Sequence, residues 1–167
     1  QGLFRLLVLG GSQGAHSINV SMMEALQSLT SKKGNIHITH QTGESDHQMV
    51  QREYENSGLS HDVRPFIDDV AEQYRKASLV ICRAGATTLA EVTACGKVSV
   101  LIPYPHAAHN HQEKNARLLD DANAGELVLD KELSGERIAQ SILRAMEDPQ
   151  RMHEMETNSY QLGKRDA

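Results

Sequence analysis

Cys82-Arg83-Ala84-Gly85-Ala86-Thr87-Thr88-Leu89-Ala90-Glu91 is the stretch around which the chain is organised. The apolar run that leads into it, Leu79-Val80-Ile81-Cys82, reads as a short buried strand. Gly85 permits a tight turn, and a helix is expected to begin near Thr87 or Thr88. The end of a strand and the start of a helix therefore meet here. In an open parallel α/β sheet this is the edge at which ligands bind. A helix start offers unpaired N–H groups and the positive end of its dipole to an anion or polar ligand. Glu91 has two readings. Thr88 and Glu91 have the S/T-x-x-E spacing of a capping box, which spacing alone favours. The other reading is a carboxylate that accepts from a ribose diol, as acidic residues do in nucleotide-binding α/β folds.

Upstream, Phe4-Arg5-Leu6-Leu7-Val8-Leu9 is an apolar run that ends at Gly10-Gly11-Ser12-Gln13-Gly14-Ala15. A helical pattern follows, with Ile18, Met22, Leu26 and Leu29 on one face. A strand, a glycine-rich turn and a helix form a phosphate-binding arrangement in general terms. The turn is neither G-x-G-x-x-G nor a P-loop. Backbone geometry alone would account for some of its glycines, but three glycines and a serine exceed what a turn needs.

Ile36 to His40 alternates and reads as the second strand, followed by the loop Gln41-Thr42-Gly43. Asp46 to Ser57 reads as a polar surface helix ended by Gly58. Val63 to Ile67 reads as a short strand, with Pro65 placing it near an edge or strand end. Asp68-Asp69 then opens a helix carrying Val70, Tyr74 and Ala77. Phe66 and Ile67 are either core or an apolar wall and backbone edge for a planar base. Downstream, Val98 to Ile102 is a buried strand stopped by Pro103 and Pro105. The loop from Tyr104 to Gln112 precedes a helix through Asn115, Leu118 and Leu119. Gly125 to Leu129 is the last strand, Ser134 caps a helix to Met146, and Pro149 starts a final polar helix. The tail from Gly163 to Ala167 is expected to fray.

Strand and helix alternate about six times, which predicts a doubly wound parallel α/β sheet, Rossmann-like in class. Three polar loops at strand ends, Gly10–Ala15, Arg83–Glu91 and His106–Gln112, would then converge on one crevice.

A chain of 167 residues suits one domain with a full core. Hydrophobic residues make up 39% and charged residues 23%, as in ordinary globular chains. A formal net charge of -5 argues against nucleic acid as a partner. No apolar run approaches the ~20 residues that span a bilayer, and no signal peptide is evident. The chain opens on Gln1-Gly2 without an initiator Met and is expected to be a piece of a longer protein. Cys82 and Cys95 read as reduced, buried cysteines of a cytosolic protein. His106, His109 and His111 follow no zinc spacing and have no Cys or carboxylate cluster beside them, so no metal is expected. His106 is expected to order the loop, while His111 and Gln112 offer hydrogen bonds to a polar ligand.

Five motifs then occur in order over nearly the whole chain: Gly10-Gly11-Ser12-Gln13-Gly14-Ala15, His40-Gln41-Thr42-Gly43, Phe66-Ile67-Asp68-Asp69, Arg83 to Glu91, and Pro103-Tyr104-Pro105-His106 with Asn110-His111-Gln112 and Asn115-Ala116. The set resembles the C-terminal half of the MurG family, the bacterial N-acetylglucosaminyltransferases that form lipid II for peptidoglycan. The resemblance implies the donor-binding domain of a two-domain glycosyltransferase of the B fold, spanning residues 1–162 with 163–167 as tail. It implies UDP-N-acetylglucosamine as donor and inverting transfer. The acceptor would be an undecaprenyl-diphosphate-linked muramyl-pentapeptide, held by an N-terminal half that this chain lacks. It further implies a peripheral location on the cytoplasmic membrane face, no cofactor, and no catalytic residue within this half. Carried onto this sequence, Glu91 would hold the ribose hydroxyls and the Ile67 backbone would read the uracil edge, with Phe66 beside it. Gly11, Ser12 and Gly14 would meet the diphosphate with help from Thr87. His111 and Gln112 would contact the sugar or ribose. A related B-fold enzyme such as a UDP-N-acetylglucosamine 2-epimerase, and a stand-alone nucleotide-sugar binding module, are the competing expectations.

Overall fold

The computed structural model describes residues 2–10, 15–106 and 111–165, apart from the Arg165 side chain. Six strands form one fully parallel sheet: β1 (Phe4–Leu9), β2 (Ile36–Gln41), β3 (Ser60–Arg64), β4 (Leu79–Cys82), β5 (Ser99–Leu101) and β6 (Gly125–Leu127). The helices are α1 (His16–Leu29), α2 (His47–Ser57), α3 (Val70–Lys76), α4 (Ala86–Ala94), α5 (His111–Asp121), α6 (Gly135–Glu147) and α7 (Pro149–Arg165). The strand order is β3-β2-β1-β4-β5-β6. From β1 the chain winds outward through β2 to β3, then returns to β4 beside β1 and winds the other way. The order reverses between β1 and β4, and such a switch point opens a crevice at the carboxyl ends of the strands.

Alternating side chains bury both faces of the sheet. Leu6, Val8, Ile38, Ile81 and Val100 lie in the cluster that takes in Ile18, Met22, Ile138 and Met155 of the helices. Leu7, Val80, Cys82 and Leu101 lie in the other, with Tyr74, Leu89, Val92, Ala116 and Leu119. The doubly wound parallel sheet is the expected one.

Three local expectations are corrected. The third strand runs from Ser60 to Arg64, not from Val63 to Ile67. Pro65 has no N–H to continue the ladder, and this edge strand pairs only with β2, so polar residues suit it. Cys95 is exposed at the end of α4, whereas Cys82 is buried in β4 as expected. The tail is helical rather than frayed from Gly163 to Arg165. At Gly163 a Cβ would lie 2.5 Å from the Thr93 carbonyl oxygen, so α7 and α4 meet backbone to backbone.

Candidate functional site

The register pairs Leu9 with Cys82, so the glycine-rich turn after β1 and the Arg83–Glu91 stretch after β4 leave the sheet side by side at the switch point. Gly10 holds the first of these in place. Its N–H donates to the Gln41 carbonyl at 2.8 Å. A Cβ there would fall 2.6 Å from Asn19 Oδ1, so only glycine lets β1 approach α1 so closely. Gly11, Ser12 and Gly14, the expected diphosphate contacts, lie outside the described residues, as does His109.

α1 and α4 begin at this point with bare ends. Neither has a side-chain cap nor an acidic residue in its first turn. α6, by contrast, is capped by Ser134 and carries Glu136. Among the described residues no side chain caps the first-turn N–H groups of α1 or α4, and such groups, with the positive end of the helix dipole, suit an anion or polar ligand.

The α4 geometry removes one of the two readings of Glu91, the capping box. The helix starts at Ala86 with Gly85 as N-cap, three residues before the place where Thr88 would cap it. Thr88 and Glu91 therefore form no capping box. Glu91 sits exposed in the second turn, where its Oε1 accepts a hydrogen bond of 3.3 Å from the Tyr74 hydroxyl of α3. Thr87 is exposed in the first turn.

Phe66 and Ile67 divide the work their sequence left open. Ile67 is core, 3% exposed, while Phe66 is 69% exposed. Phe66 borders a cleft of about 450 Å³ shared with Gln41, Gly43, Glu44, Ser45 and Pro65. The Ile67 N–H donates to Gln41 Oε1 at 2.9 Å, and Gln41 Nε2 donates to the Gly10 carbonyl at 3.3 Å. Gln41 thus links the Ile67 peptide to Gly10, where the glycine-rich turn begins.

Gln112 clasps the other side. Its Oε1 accepts from the backbone N–H of Ala84 (3.2 Å) and of Tyr104 (2.9 Å), fixing the β4–α4 turn against the loop after β5. Its Nε2 is directed toward Gly85, so only the amide NH₂ remains for a ligand. Asn115 Nδ2 adds a bond to the Ala84 carbonyl. His111 is exposed at the first position of α5. His106 packs edge-on against Tyr104. No group of three or more His, Cys, Asp or Glu side chains among the described residues is placed to hold a metal.

Two networks that the sequence did not announce lie behind these groups. Arg83, in the centre of the motif, turns inward. It donates to Asp130 Oδ1 (2.7 Å), to the carbonyls of Ile102 and Pro103, and to Ser17 Oγ in the first turn of α1. It ties the starts of α1 and α4 to one anchor. On the other side, Asn19 Nδ2 donates to the Thr42 carbonyl and to Asp46 Oδ2, each at 2.9 Å. Desolvation of Asp46 favours its neutral form. Hydrogen bonds from Asn19 and His16 outweigh it and hold the carboxyl below its ordinary range.

The family model described as "Glycosyltransferase family 28 C-terminal domain" matches residues 5–167. A UDP-N-acetylglucosamine--N-acetylmuramyl-(pentapeptide) pyrophosphoryl-undecaprenol N-acetylglucosamine transferase of Geobacter sulfurreducens is 52% identical over 98% of this chain and 45% of its own length. The protein of the same name from Thermodesulfovibrio yellowstonii is 51% identical, again over 98% of this chain and 45% of its own. The crystal structure of Acinetobacter baumannii MurG superposes with a TM-score of 0.84 at 33% identity, covering 95% of this chain and 47% of that one. The chain spans less than half the length of each of these relatives.

Proposed function

The chain belongs to the glycosyltransferase family 28 C-terminal domain family, and from that premise we propose that it binds the donor for an inverting N-acetylglucosaminyltransferase. The donor is UDP-N-acetylglucosamine. The acceptor is the muramyl sugar of an undecaprenyl-diphosphate-linked pentapeptide, presented by an N-terminal half at the cytoplasmic face of the membrane. No described helix is long and apolar enough to cross a membrane.

The observation that carries this reading is the switch point itself. Among the described residues, two helix starts without a side-chain cap lie there, and α4 bears a carboxylate in no capping box and no ion pair. Each group has a chemical task. When an acceptor hydroxyl attacks the anomeric carbon, the bond to the β-phosphate breaks and UDP departs with the electron pair. The first-turn N–H groups of α1 and α4, with Thr87 and the turn containing Gly11, Ser12 and Gly14, are suited to stabilise that charge. Fixed dipoles do this without rearranging during the step. The hydroxyl proton leaves to a base on the acceptor side.

Glu91 accepts from the ribose hydroxyls, and Phe66 supplies an apolar wall to the base. The Ile67 peptide reads the uracil edge. Its N–H is held by Gln41 Oε1, so a uracil carbonyl that takes this N–H exchanges one amide-type acceptor for another, a nearly balanced swap. The Gln112 amide NH₂ and His111 lie on the sugar side.

Glu91→Ala in the full-length enzyme tests the assignment. Leaving a ribose hydroxyl unpaired costs about 1–3 kcal/mol, so kcat/KM for UDP-N-acetylglucosamine should fall by roughly five- to 150-fold while Tm holds. A normal kcat/KM with a lowered Tm would show Glu91 to be structural.

A further inference from the structure

We propose that Tyr74 is the positioning residue of the ribose grip, holding the Glu91 carboxylate in the orientation that receives the nucleotide. The inference rests on the reading of Glu91 as the ribose-binding group. Glu91 is exposed on the second turn of α4, and a glutamate in that setting samples several rotamers. Among the described residues the Tyr74 hydroxyl is the one side-chain group bonded to its carboxylate, at 3.3 Å from Oε1. The donor comes from a rigid base. Tyr74 is 2% exposed, with its ring in the buried cluster that includes Leu7, Cys82 and Leu89. Its hydroxyl is carried on only two side-chain torsions, and burial, the largest cause, pushes its pKa well above the ordinary tyrosine value, so it remains a donor.

The stoichiometry of lone pairs fits. An ionised carboxylate offers about four acceptor positions. Tyr74 takes one on Oε1 and leaves Oε2, with the rest of Oε1, for two vicinal hydroxyls. Ile67 belongs to the same buried cluster. The residue that aims the ribose carboxylate thus shares its support with the peptide that reads the base. A fixed spacing between those two contacts suits a nucleoside, in which base and ribose are rigidly joined.

The test is Tyr74→Phe in this chain, which keeps the ring and removes the hydroxyl. Binding of UDP and of 2′-deoxy-UDP is measured for wild type, Tyr74→Phe, Glu91→Ala and the double variant. UDP affinity should fall about three- to tenfold in Tyr74→Phe, the equivalent of one net hydrogen bond. The 2′-deoxy analogue should lose less, so the preference for UDP shrinks. In the Glu91→Ala background the tyrosine change should have no further effect. A loss of packing alone would weaken both ligands equally and would overturn the proposal, as would an unchanged preference in Tyr74→Phe. If Glu91→Ala itself leaves the preference intact, the ribose reading has failed, and this inference fails with it.

Discussion

His40 lies wholly inside the protein with both ring nitrogens engaged. The two Nδ2 hydrogens of Asn19 go to the Thr42 carbonyl and Asp46, so Asn19 Oδ1 is the acceptor for His40 Nε2–H at 2.8 Å. His40 Nδ1 then accepts from the Tyr54 hydroxyl at 2.8 Å. The network assigns the neutral Nε2–H tautomer. Burial, the largest cause, pushes the His40 pKa down to about 3, against the pull of Asp46. In the unfolded chain the same ring titrates near ~6.5. Between those values the unfolded state binds a proton that the folded state does not, so stability is full above pH ~6.5 and falls as pH drops toward ~3. The slope is about 1.4 kcal/mol per pH unit for one such proton. Denaturant midpoints should therefore fall from pH 7.5 to pH 5.5, and His40→Gln should flatten that dependence. Equal slopes in the variant and the parent would show that His40 is not the group responsible. The sequence placed His40 in a motif but did not show that it is buried and neutral, because its surroundings come from α1, α2 and β2 together. Glu91 shows a different limit. The sequence raised both of its readings, and only the starting residue of α4 removes the capping box.

At the scale of elements, boundaries were legible where an apolar run ends at glycine or proline. β4 falls where the Leu79–Cys82 run puts it, and α2 ends at Gly58 in the left-handed conformation. Ser60-His61-Asp62 was not legible as strand, because an edge strand solvated on one side need not be apolar. The α7 end misled for another reason. Gly163 near a terminus suggests fraying, but here glycine is what allows contact with α4. Helix propensity would favour alanine at this position by about 1 kcal/mol. The steric term opposes it, since the added carbon would meet the carbonyl of Thr93 at 2.5 Å and its neighbour Ala94 N at 3.0 Å. Backbone cannot swing aside as a side chain does, and overpacking of this kind costs about 1–3 kcal/mol. Gly163→Ala should lower the melting temperature on balance. An unchanged or raised melting temperature would mean that α7 is free to move off α4.

At the scale of the molecule, the alternation of buried strands and helices was enough to give a doubly wound parallel sheet. Such strands are covered on both faces and read as continuous apolar runs. The same alternation places the polar loops at one edge. It does not say how they are clasped together. Gln41 bonds Ile67 across 26 residues, Gln112 bonds Ala84 across 28, and Arg83 bonds Asp130 across 47. These are tertiary hydrogen bonds without a local sequence pattern. They fix the Ile67 peptide, the β4–α4 turn and the start of α1 at the carboxyl edge of the sheet, where Arg83 also bonds Ser17 of α1. Under the function proposed above, this edge of the sheet receives a nucleotide diphosphate with a pyrimidine base. Calorimetric titration of this chain with UDP-N-acetylglucosamine, with UDP-glucose and ADP as controls, tests that most directly. Saturable binding of UDP-N-acetylglucosamine should be at least about tenfold tighter than that of ADP, a difference of roughly 1.4 kcal/mol. ADP bound as tightly as the uridine nucleotide would contradict it.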